Sequence, residues 1–433
     1  MRFFKKHLLF KVATLSLFLQ IGGAGIAFLL QVIFARLLGV QDFGNYIYVL
    51  TWINILVLIA KFGLDTLLLR YVSAYEGKQE WRYLRGVIVW SFQITFLLSI
   101  IVSGLLILFI WELSYYIEIK LAKLFLIGSF LILPLTFARL AQSILRGLQH
   151  VILPQTIELV LRPVILGAII LILYIAEISL SVFLVLTVTL ISTVLIFILS
   201  IVITIHYLPN AVKMVRPLTN SLEWRITVFP LFILSGTLLI MNQTDTVMLG
   251  ILQGTQEAGI YASVARITEF IMFGLTAFNA LAAPMISNLY TLNNKKELQY
   301  LITKVAWGSF LFSIVASIFL IIEGKLVLSF FGEEFVAGYS SLVILLIGQT
   351  INALAGSVGF MMTMTGNQTI AAKIFAVSAL LNVILNLVLI PFFGMIGAAI
   401  ATSFTTAFWN IALFWFVWKH IGINSTIFFT THE

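Results

Sequence analysis

Arginine side chains within apolar segments are the groups of this chain best suited to bind a ligand. Arg139 and Arg146 lie seven residues apart with Gln142 between them, and Arg139 has no acidic residue at i±3 or i±4. A guanidinium group can donate two parallel hydrogen bonds, whose geometry matches two oxygen atoms of a phosphate. The pattern predicts an anion-binding site, with Arg139 as the leading candidate for a pyrophosphate ligand. An ion pair of Arg139 with Glu158 or Glu269 is the structural alternative.

Three other pairs of opposite charge stand about one helical turn apart: Glu158–Arg162, Lys61–Asp65 and Arg266–Glu269. Side chains at i+3 or i+4 meet on one helix face and can neutralise each other, which reduces the cost of charge in a membrane. The other interpretation is that the arginines bind an anionic substrate and that Glu269 binds an ion. The arginine candidates for substrate binding are Arg139, Arg146, Arg162 and Arg266.

Amides and hydroxyls repeat at helical spacing in other apolar segments. Three segments each carry a stripe of small or polar residues spaced by three or four: Ser16, Gln20, Ala24, Ala27 and Gln31; Ser378, Asn382 and Asn386; Thr402, Thr406 and Asn410. Helix packing explains any one stripe, but several together favour a polar interior. Gln20, Gln31 and Asn382 are therefore further candidates for substrate binding. Asp245, which ends a polar run from Asn242, is a candidate for binding a coupling ion.

The composition requires these segments to lie in a membrane. Hydrophobic residues make up 61% of the 433 residues, charged residues make up 10%, and the mean hydropathy is +1.12. A soluble domain is closer to half apolar and a quarter charged, so this chain must expose apolar surface to lipid. The basic residues flank the apolar segments and form no separate domain. The net charge of +8 therefore indicates membrane topology and not nucleic-acid binding.

Windows of about 20 apolar residues predict twelve transmembrane helices, near residues 12–34, 43–62, 85–110, 121–145, 155–175, 180–205, 227–251, 259–289, 302–322, 339–364, 370–391 and 397–418. None alternates as a barrel strand would. Nineteen Lys and Arg fall on the side of the N-terminus and four on the other, which places both termini in the cytoplasm. The first span is too long for a signal peptide, so we expect it to stay uncleaved. The largest external connections are near 111–120 and 323–338.

A polar, glycine-containing sequence between two spans occurs twice in the chain, and we call it the repeated corner. The repetition indicates two related halves. GVQDFGNYIYV (Gly39–Val49) returns as GTQEAGIYASV (Gly254–Val264). Six predicted spans separate the copies, and this even number returns the chain to the same side, so the halves are parallel repeats. We expect an all-α membrane protein with about twelve helices in two parallel six-helix lobes (1–206 and 227–433) around a central cavity, joined by a cytoplasmic linker (207–226). Lobes that rock about a cavity make a transporter.

Several other chemistries are disfavoured. The chain has no cysteine, which excludes disulfides and thiol nucleophiles. Its five His do not pair at metal-ligand spacing, and there is no Walker motif for ATP hydrolysis. A membrane glycan polymerase or ligase would need a long external segment with catalytic side chains, and the predicted external loops are short. We expect no catalytic residue, no metal site and no cofactor.

The corner motifs resemble a known family. ARLLGVQDFGNYIYVLT (Ala35–Thr51) resembles the most recognisable motif of the bacterial polysaccharide-export and O-antigen repeat-unit flippases, which belong to the multidrug/oligosaccharidyl-lipid/polysaccharide (MOP) exporter superfamily. NQTDTVMLGILQGTQEAGIYASVARI (Asn242–Ile267) looks like the second-half counterpart. LRGLQ (Leu145–Gln149), TGNQ (Thr365–Gln368) and PFFGMIGAAIAT (Pro391–Thr402) are similar to later landmarks of the family.

The resemblance implies alternating access and an undecaprenyl-pyrophosphate-linked oligosaccharide as cargo. It also implies a place in the bacterial cytoplasmic membrane, with membrane lipid and the polysaccharide polymerase machinery as partners and no nucleic acid. A drug/cation antiporter of the same superfamily is the first alternative, although it would favour a carboxylate-lined cavity where this chain has Arg139. A lipid II flippase is the second. A purely structural membrane protein would need neither repeated halves nor unpaired arginine at depth.

Overall fold

The structure is a computed structural model that describes residues 2–113 and 118–428, and their regular secondary structure is entirely helical. The α-helices are α1 (Arg2–Lys61), α2 (Leu64–Gly77), α3 (Trp81–Leu113), α4 (Ile119–Ser129), α5 (Ile132–Gly147), α6 (Ile152–Thr156), α7 (Arg162–Ile175), α8 (Val182–Tyr207), α9 (Asn210–Met214), α10 (Ser221–Leu252), α11 (Thr255–Thr291), α12 (Lys295–Ser329), α13 (Tyr339–Ala355), α14 (Val358–Met364) and α15 (Gln368–Phe416). Two π-helices (Ile157–Leu161 and Val417–Ile421) and a 3-10 helix (Glu333–Gly338) complete the set. The predicted all-α membrane fold class is confirmed.

Two helices are much longer than one membrane crossing requires. A crossing needs about 20 residues, whereas α1 and α15 continue through non-helical glycines, Gly39 (φ 75°, ψ 168°) and Gly394 (φ 55°, ψ −132°). Among the described residues, nine helices are long and apolar enough to span a membrane, and the two parts of α10 add a tenth. Counting α1 and α15 as two crossings each brings the number to the predicted twelve, which stays a prediction.

The predicted tenth span, 339–364, is present but ends at Ala355 in the structure, so its predicted C-terminal bound was wrong. The helix α13 ends at Ala355, and Gly356 adopts φ 71° before α14 begins. A Cβ on Gly356 would lie 2.3 Å from the carbonyl oxygen of Ser425. The backbone therefore passes close to a distant segment and leaves the helix there, which an apolar window cannot detect.

Two predicted connections also differ from the structure. The external connection predicted near 323–338 is largely helical, because α12 continues to Ser329 and the 3-10 helix follows at Glu333. The linker predicted at 207–226 contains α9, and α10 begins inside it at Ser221. The connection predicted near 111–120 lies partly outside the described residues.

The chain divides into two compact units. The N-terminal unit comprises Thr14–Leu30 and Asn45–Leu239, and the C-terminal unit comprises Met1–Ala13, Gln31–Gly44 and Ile240–Glu433. Buried apolar side chains of α2, α3, α5, α9 and α10 form one core in the N-terminal unit. A core of the C-terminal unit joins α11, α12, α14 and α15. The lobe boundaries given by the sequence stay predictions.

The helix α12 shows how individual helices of this chain suit lipid. Its small polar side chains at four-residue spacing are buried: Ser309, Ser313 and Ser317. Its large apolar side chains on the opposite side are exposed: Leu311, Val315, Phe319 and Ile322. Small residues let membrane helices approach closely, so the polar face packs against protein and the apolar face suits lipid.

The first part of the repeated corner, Gly39–Gly44, meets the second copy within the C-terminal unit. Gly39 (φ 75°, ψ 168°) and Gly254 (φ 106°, ψ 165°) share a backbone conformation that other residues rarely adopt. Gly44 packs on the second copy, where its Cβ would lie 2.2 Å from the carbonyl oxygen of Thr255. A Cβ on Gly259 would lie 2.6 Å from the Cα of Gly44. The repeated glycines are therefore needed for the turn and for close backbone packing.

Candidate functional site

A polar cavity of about 210 Å³ lies beside α5 in the N-terminal unit. All of its lining side chains are polar or charged: Asp65, Arg139, Gln142, Ser143, Arg146 and Glu158. The α5 residues stand at i, i+3, i+4 and i+7, which is one helix face. The structure thus brings Arg139 and Arg146 together with acidic residues from α2 and from the first π-helix.

Each acidic residue of this cavity has a basic partner one turn away. Lys61 Nζ lies 2.5 Å from Asp65 Oδ2, and Arg162 Nη1 lies 2.7 Å from Glu158 Oε1. Gln142 Nε2 also donates to Glu158 Oε2 at 3.1 Å. Two of the three intrahelical pairs considered from sequence therefore form here, and Glu158 takes Arg162 as its ion-pair partner.

Arg139 and Arg146 are left without an acidic partner. Arg139 Nη2 donates to Asn54 Oδ1 at 2.9 Å, and neither arginine forms an ion pair within the part of the chain that the structure describes. Because Asp65 and Glu158 are already neutralised by their own partners, the cluster carries two uncompensated guanidinium groups. This surplus positive charge in a polar cavity is suited to an anion with several oxygen atoms.

Gln20 reaches this region through a short chain of hydrogen bonds. Gln20 Nε2 donates to Ser16 Oγ at 3.4 Å, and Ser16 Oγ donates to Gln155 Oε1 at 2.7 Å. A Cβ on Gly23 would lie 2.6 Å from the carbonyl oxygen of Leu159, so this part of α1 packs closely on the π-helix. Single π-helical turns are frequent at functional sites, and the π-helix Ile157–Leu161 places Glu158 in the lining of the cavity.

Gln31 is placed differently from Gln20. It belongs to the C-terminal unit, is half-buried, and forms no side-chain hydrogen bond with other described residues. Its role in substrate binding stays a prediction.

A second polar cluster surrounds Asp245 in the C-terminal unit. The side chain is 7% exposed, and Oδ2 accepts hydrogen bonds from Tyr261 Oη at 2.7 Å and Thr402 Oγ1 at 2.5 Å. Oδ1 accepts one from Asn386 Nδ2 at 2.7 Å. Asn382 accepts from Asn386 at 3.1 Å and donates to Thr402 at 3.2 Å. No basic side chain of the described residues pairs with this carboxylate.

The Asp245 cluster contains several oxygen atoms of the kind that bind small cations, and its role in ion coupling stays a prediction. The Oδ1 atom of Asn386 is buried without a hydrogen-bond partner, and it joins the carboxylate, amide and hydroxyl oxygens of the cluster as a potential ligand. Hard cations prefer such oxygen ligands. In residues 2–113 and 118–428, no three His, Cys, Asp or Glu side chains group as for a metal ion. A single carboxylate with neutral oxygens is suited to a proton or a monovalent cation.

Arg266 and Glu269 form the third predicted intrahelical pair. Arg266 Nη1 lies 2.6 Å from Glu269 Oε2, and the Glu269 side chain is 52% exposed. Glu269 is therefore neutralised within its own helix and takes no part in the Asp245 network. The functional roles of both residues stay predictions.

Sequence reasoning missed two side chains of these clusters. Asn54, the partner of Arg139, is an isolated amide in the second predicted span and belongs to no stripe. Tyr261 belongs to the repeated corner, but the sequence did not predict its contact with Asp245. The equivalent Tyr46 is also buried, and its hydroxyl lies 3.1 Å from Thr189 Oγ1. The occurrence of tyrosine at the same position of both copies was the sequence signal that could have identified Tyr261.

Comparison with known families decides the classification. Residues 9–290 match the model of a family described as polysaccharide biosynthesis protein. The chain belongs to this family. Residues 230–388 also match the MatE family model.

Two relatives are similar to this chain over most of its length. An uncharacterised membrane protein of Methanocaldococcus jannaschii is 25% identical over 412 residues, which cover 92% of this chain and 81% of the relative. A protein of Haloferax volcanii described as a "probable low-salt glycan biosynthesis flippase", Agl15, is 26% identical over 398 residues, covering 91% of this chain and 80% of the relative.

Two solved structures share the fold of this chain. An inward-facing multidrug resistance MATE family transporter of the MOP superfamily matches with a TM-score of 0.72 at 14% identity, covering 94% of both chains. The lipid II flippase MurJ in an inward closed conformation matches with a TM-score of 0.70 at 17% identity, covering 95% of this chain and 87% of that one. The protein is therefore a multi-pass membrane protein with the fold of MOP-superfamily transporters, and the predicted family resemblance is confirmed.

Proposed function

We propose that the protein is a flippase that moves lipid-linked oligosaccharides across a membrane by alternating access. The proposed cargo is an undecaprenyl-pyrophosphate-linked repeat unit, moved across the bacterial cytoplasmic membrane for polysaccharide or O-antigen synthesis, with both termini cytoplasmic. The family and the description of the H. volcanii relative as a flippase support this function. A transporter of this kind needs neither a catalytic residue nor a cofactor.

The observation that carries the proposal is the pair of arginines without acidic partners in the α5 cavity. Arg139 lies inside the predicted span 121–145, where an uncompensated charge costs roughly 2.5–3.5 kcal/mol on insertion scales, so this charge serves a purpose other than helix packing. Arg146 is exposed just beyond the end of that span. A pyrophosphate cannot cross hydrocarbon without replacement of its hydration. Arg139 and Arg146 offer donors to replace it, and Gln142 and Ser143 line the same cavity.

A rocking mechanism also needs an energy source, and the Asp245 cluster supplies a site for a coupling cation. Its carboxylate is buried and has no basic partner among the described residues. Binding of a proton or monovalent cation would change the charge of this cluster from negative to neutral. Helices α10, α11 and α15 contribute Asp245, Tyr261 and Asn386, so the change in charge acts on three elements at once.

A drug/cation antiporter is the second candidate, and one specific observation favours it. The Asp245 carboxylate lacks a basic partner and lies in the segment that matches the MatE family model. An organic cation could bind such a carboxylate. The positive α5 cavity is unsuited to cationic cargo, which is why we rank the flippase first.

Reconstitution of the purified protein into liposomes tests the proposal directly. The probe is a fluorescent short-chain isoprenyl-pyrophosphate oligosaccharide, and a membrane-impermeant reductant bleaches only the outer leaflet. We expect protein-dependent bleaching of the inner-leaflet probe, and no such effect for a fluorescent phosphatidylcholine. Uptake of ethidium without movement of the oligosaccharide lipid would instead identify an antiporter.

A cellular experiment identifies the cargo. In the organism that encodes the protein, its removal should cause one lipid-linked glycan to accumulate on the inner leaflet, where it stays protected from external glycosidases. Unchanged lipid-linked glycans after removal would contradict the flippase function.

A further inference from the structure

A second cavity of about 320 Å³ lies in the N-terminal unit, at the loop between α2 and α3. Its lining residues come from α2, the following turn, the start of α3 and the segment that leads into α10: Arg70, Tyr71, Ala74, Tyr75, Lys78, Glu80, Tyr83, Asn220 and Glu223. None of these residues lines the α5 cavity. Ligand pockets occupy about 300–1,000 Å³, so this volume is suited to one sugar-sized ring with a small substituent.

Tyrosine rings form one wall of the cavity. The rings of Tyr75 and Tyr83 stack with centroids 5.7 Å apart and planes at 26°, and those of Tyr71 and Tyr75 are 5.4 Å apart. Tyr71 and Tyr75 are buried, whereas Tyr83 is 37% exposed. Trp224 Nε1 donates to the Tyr75 hydroxyl at 3.1 Å and fixes that ring from behind. The wall is a fixed aromatic surface against which a flat or apolar ring face can pack.

Next to the tyrosines, Glu223 and Asn220 line the cavity with hydrogen-bonding groups. Glu223 Oε1 accepts from the Tyr71 hydroxyl at 2.7 Å, and Oε2 accepts from Asn220 Nδ2 at 2.5 Å. Burial raises the pKa of Tyr71 above its ordinary value, so the hydroxyl remains a donor at neutral pH. The carboxylate is held in place while it keeps free lone pairs, which can accept hydrogen bonds from ligand hydroxyls.

The wall from the linker is anchored to α3. Leu218 N donates to the carbonyl oxygen of Arg82 at 2.9 Å. Arg85 Nη1 donates to the carbonyl oxygens of Lys213 and Val215 at 2.8 and 2.6 Å. These bonds hold the segment before Asn220 across the start of α3, so the cavity exists before any ligand binds.

Two basic side chains line the cavity without ion pairs. Arg70 and Lys78 are both exposed, and neither pairs with an acidic side chain in the described part of the chain. The guanidinium carbon of Arg70 lies 5.8 Å from the centroid of the Tyr71 ring, which holds the charge beside the aromatic wall. Glu80 and Glu223 line the same cavity, so its formal charges balance, and the two unpaired cations are the groups suited to a phosphate.

We propose that this cavity binds a glycosyl phosphate, with the sugar ring on the exposed Tyr83, which Tyr75 supports from behind, and the phosphate beside Arg70 and Lys78. The sugar hydroxyls donate to Glu223 and accept from Asn220. A bare phosphate would leave the aromatic wall and the carboxylates unused, and a neutral sugar would leave both cations unused. Only a ligand that combines the two uses every part of the cavity.

The ligand has two sources, a lipid-linked headgroup or a soluble sugar phosphate. If the proposed flippase function holds, on which this step rests, the lipid-linked source makes the cavity a loading site for the cargo headgroup. The positive-inside bias of the sequence places Lys78 and the linker on the cytoplasmic side. The headgroup would then bind here before it enters the α5 cavity.

Calorimetry on the full-length protein in lipid nanodiscs tests the site. The probes are the 1-phosphates of glucose, galactose, mannose and N-acetylglucosamine, with the free sugars, inorganic phosphate and UMP for comparison. We expect at least one sugar phosphate to bind about tenfold or more tightly than its free sugar or phosphate, because each half supplies separate hydrogen bonds. Tighter binding of phosphate alone or of UMP, or no binding by any sugar phosphate, would overturn the proposal.

Matched variants locate the binding. The double variant R70Q/K78Q and Tyr83→Leu should each weaken sugar phosphate binding about tenfold, whereas Arg225→Gln should not. Arg225 is an exposed basic residue near Glu223 that does not line the cavity. All substituted side chains are at least partly exposed, so the variants should fold. Equal affinity in every variant would place the ligand elsewhere.

A further comparison separates the two sources and the two proposals. A short-chain isoprenyl-pyrophosphate-linked sugar in the nanodisc should displace the soluble probe if the source is a lipid headgroup. Absence of displacement would assign the cavity to a soluble sugar phosphate and overturn its role in loading. Flipping without sugar phosphate binding overturns this inference alone, and binding without flipping overturns the proposed function alone.

Discussion

The arginines of the α5 cavity differ in how their charges are balanced, and that difference predicts their importance. Arg162 is paired with Glu158, so it contributes little net charge to a bound anion. Arg139 has only a neutral partner, Asn54, and keeps its charge for a ligand. The same comparison applies to Arg146, which is exposed and unpaired among the described residues.

Replacement of Arg139 should therefore reduce flipping strongly. We expect Arg139→Gln to lower the flipping rate about 10- to 100-fold, the loss of one or two hydrogen bonds to a charged group. Arg139→Lys should have an intermediate effect, since lysine keeps the positive charge but cannot donate the two parallel hydrogen bonds of a guanidinium group. The liposome assay measures both rates, with Lys123→Gln as a control at an exposed basic residue of the same unit. A wild-type rate for Arg139→Gln would remove this residue from the substrate site.

Asp245 and Glu269 were equivalent candidates for ion coupling from sequence, and the structure separates them. Asp245 is buried without a basic partner, whereas Glu269 is exposed and paired with Arg266. We expect Asp245→Asn to abolish the response of flipping to imposed proton or sodium gradients, because the neutral amide has no negative charge with which to bind a proton or a sodium ion. Glu269→Gln should leave the response intact. Gradient-dependent flipping by Asp245→Asn liposomes would exclude the coupling role of Asp245.

The candidate residues could be chosen from sequence, but their partners could not. The i+4 pair Lys61–Asp65 follows from helix geometry alone and forms as expected. The hydrogen bond from Arg139 to Asn54 joins residues 85 positions apart. Which face of a span meets which neighbour depends on tertiary packing, and periodicity within one segment carries no information about it.

The helices themselves were predictable because lipid leaves the backbone few choices. Without water, each spanning segment must satisfy its hydrogen bonds internally, so apolar length predicts a helix. Departures such as the break at Gly356 and the π-helix at Ile157–Leu161 occur where a distant backbone comes near. Gly356 approaches Ser425, and Gly23 approaches Leu159. These approaches are properties of the packed unit and were not visible in the apolar windows.

The repeated glycine corner gives a prediction at the level of elements. A Cβ on Gly44 would overlap the carbonyl oxygen of Thr255, and α1 and α11 would have to separate. We expect Gly44→Ala to destabilise the protein by about 1–3 kcal/mol, the range for overpacking, measured by thermal unfolding in detergent. Gly25→Ala is the matched control, since it lies in α1 with open space around its Cβ. Equal stability of the two variants would contradict the packing role of the corner.

The distribution of charge along the chain leads to a prediction for the whole molecule. The predicted parallel repeats would place equivalent loops of both halves on one side of the membrane, and the excess of Lys and Arg predicts that this side is cytoplasmic. Because the chain contains no cysteine, single cysteines report topology without background. Lys78, Lys213 and Lys295 are exposed and sample the loop after α2, the linker and the loop before α12.

A membrane-impermeant maleimide should label Lys78→Cys, Lys213→Cys and Lys295→Cys only after the membrane is opened. Lys325→Cys, at an exposed position near the end of α12, should be labelled in intact cells and serves as the external control. Labelling of Lys78→Cys and Lys295→Cys from opposite sides would mean inverted halves, because the two positions belong to different halves of the repeat. Labelling of all three from outside would reverse the orientation and place the glycosyl phosphate cavity away from cytoplasmic cargo.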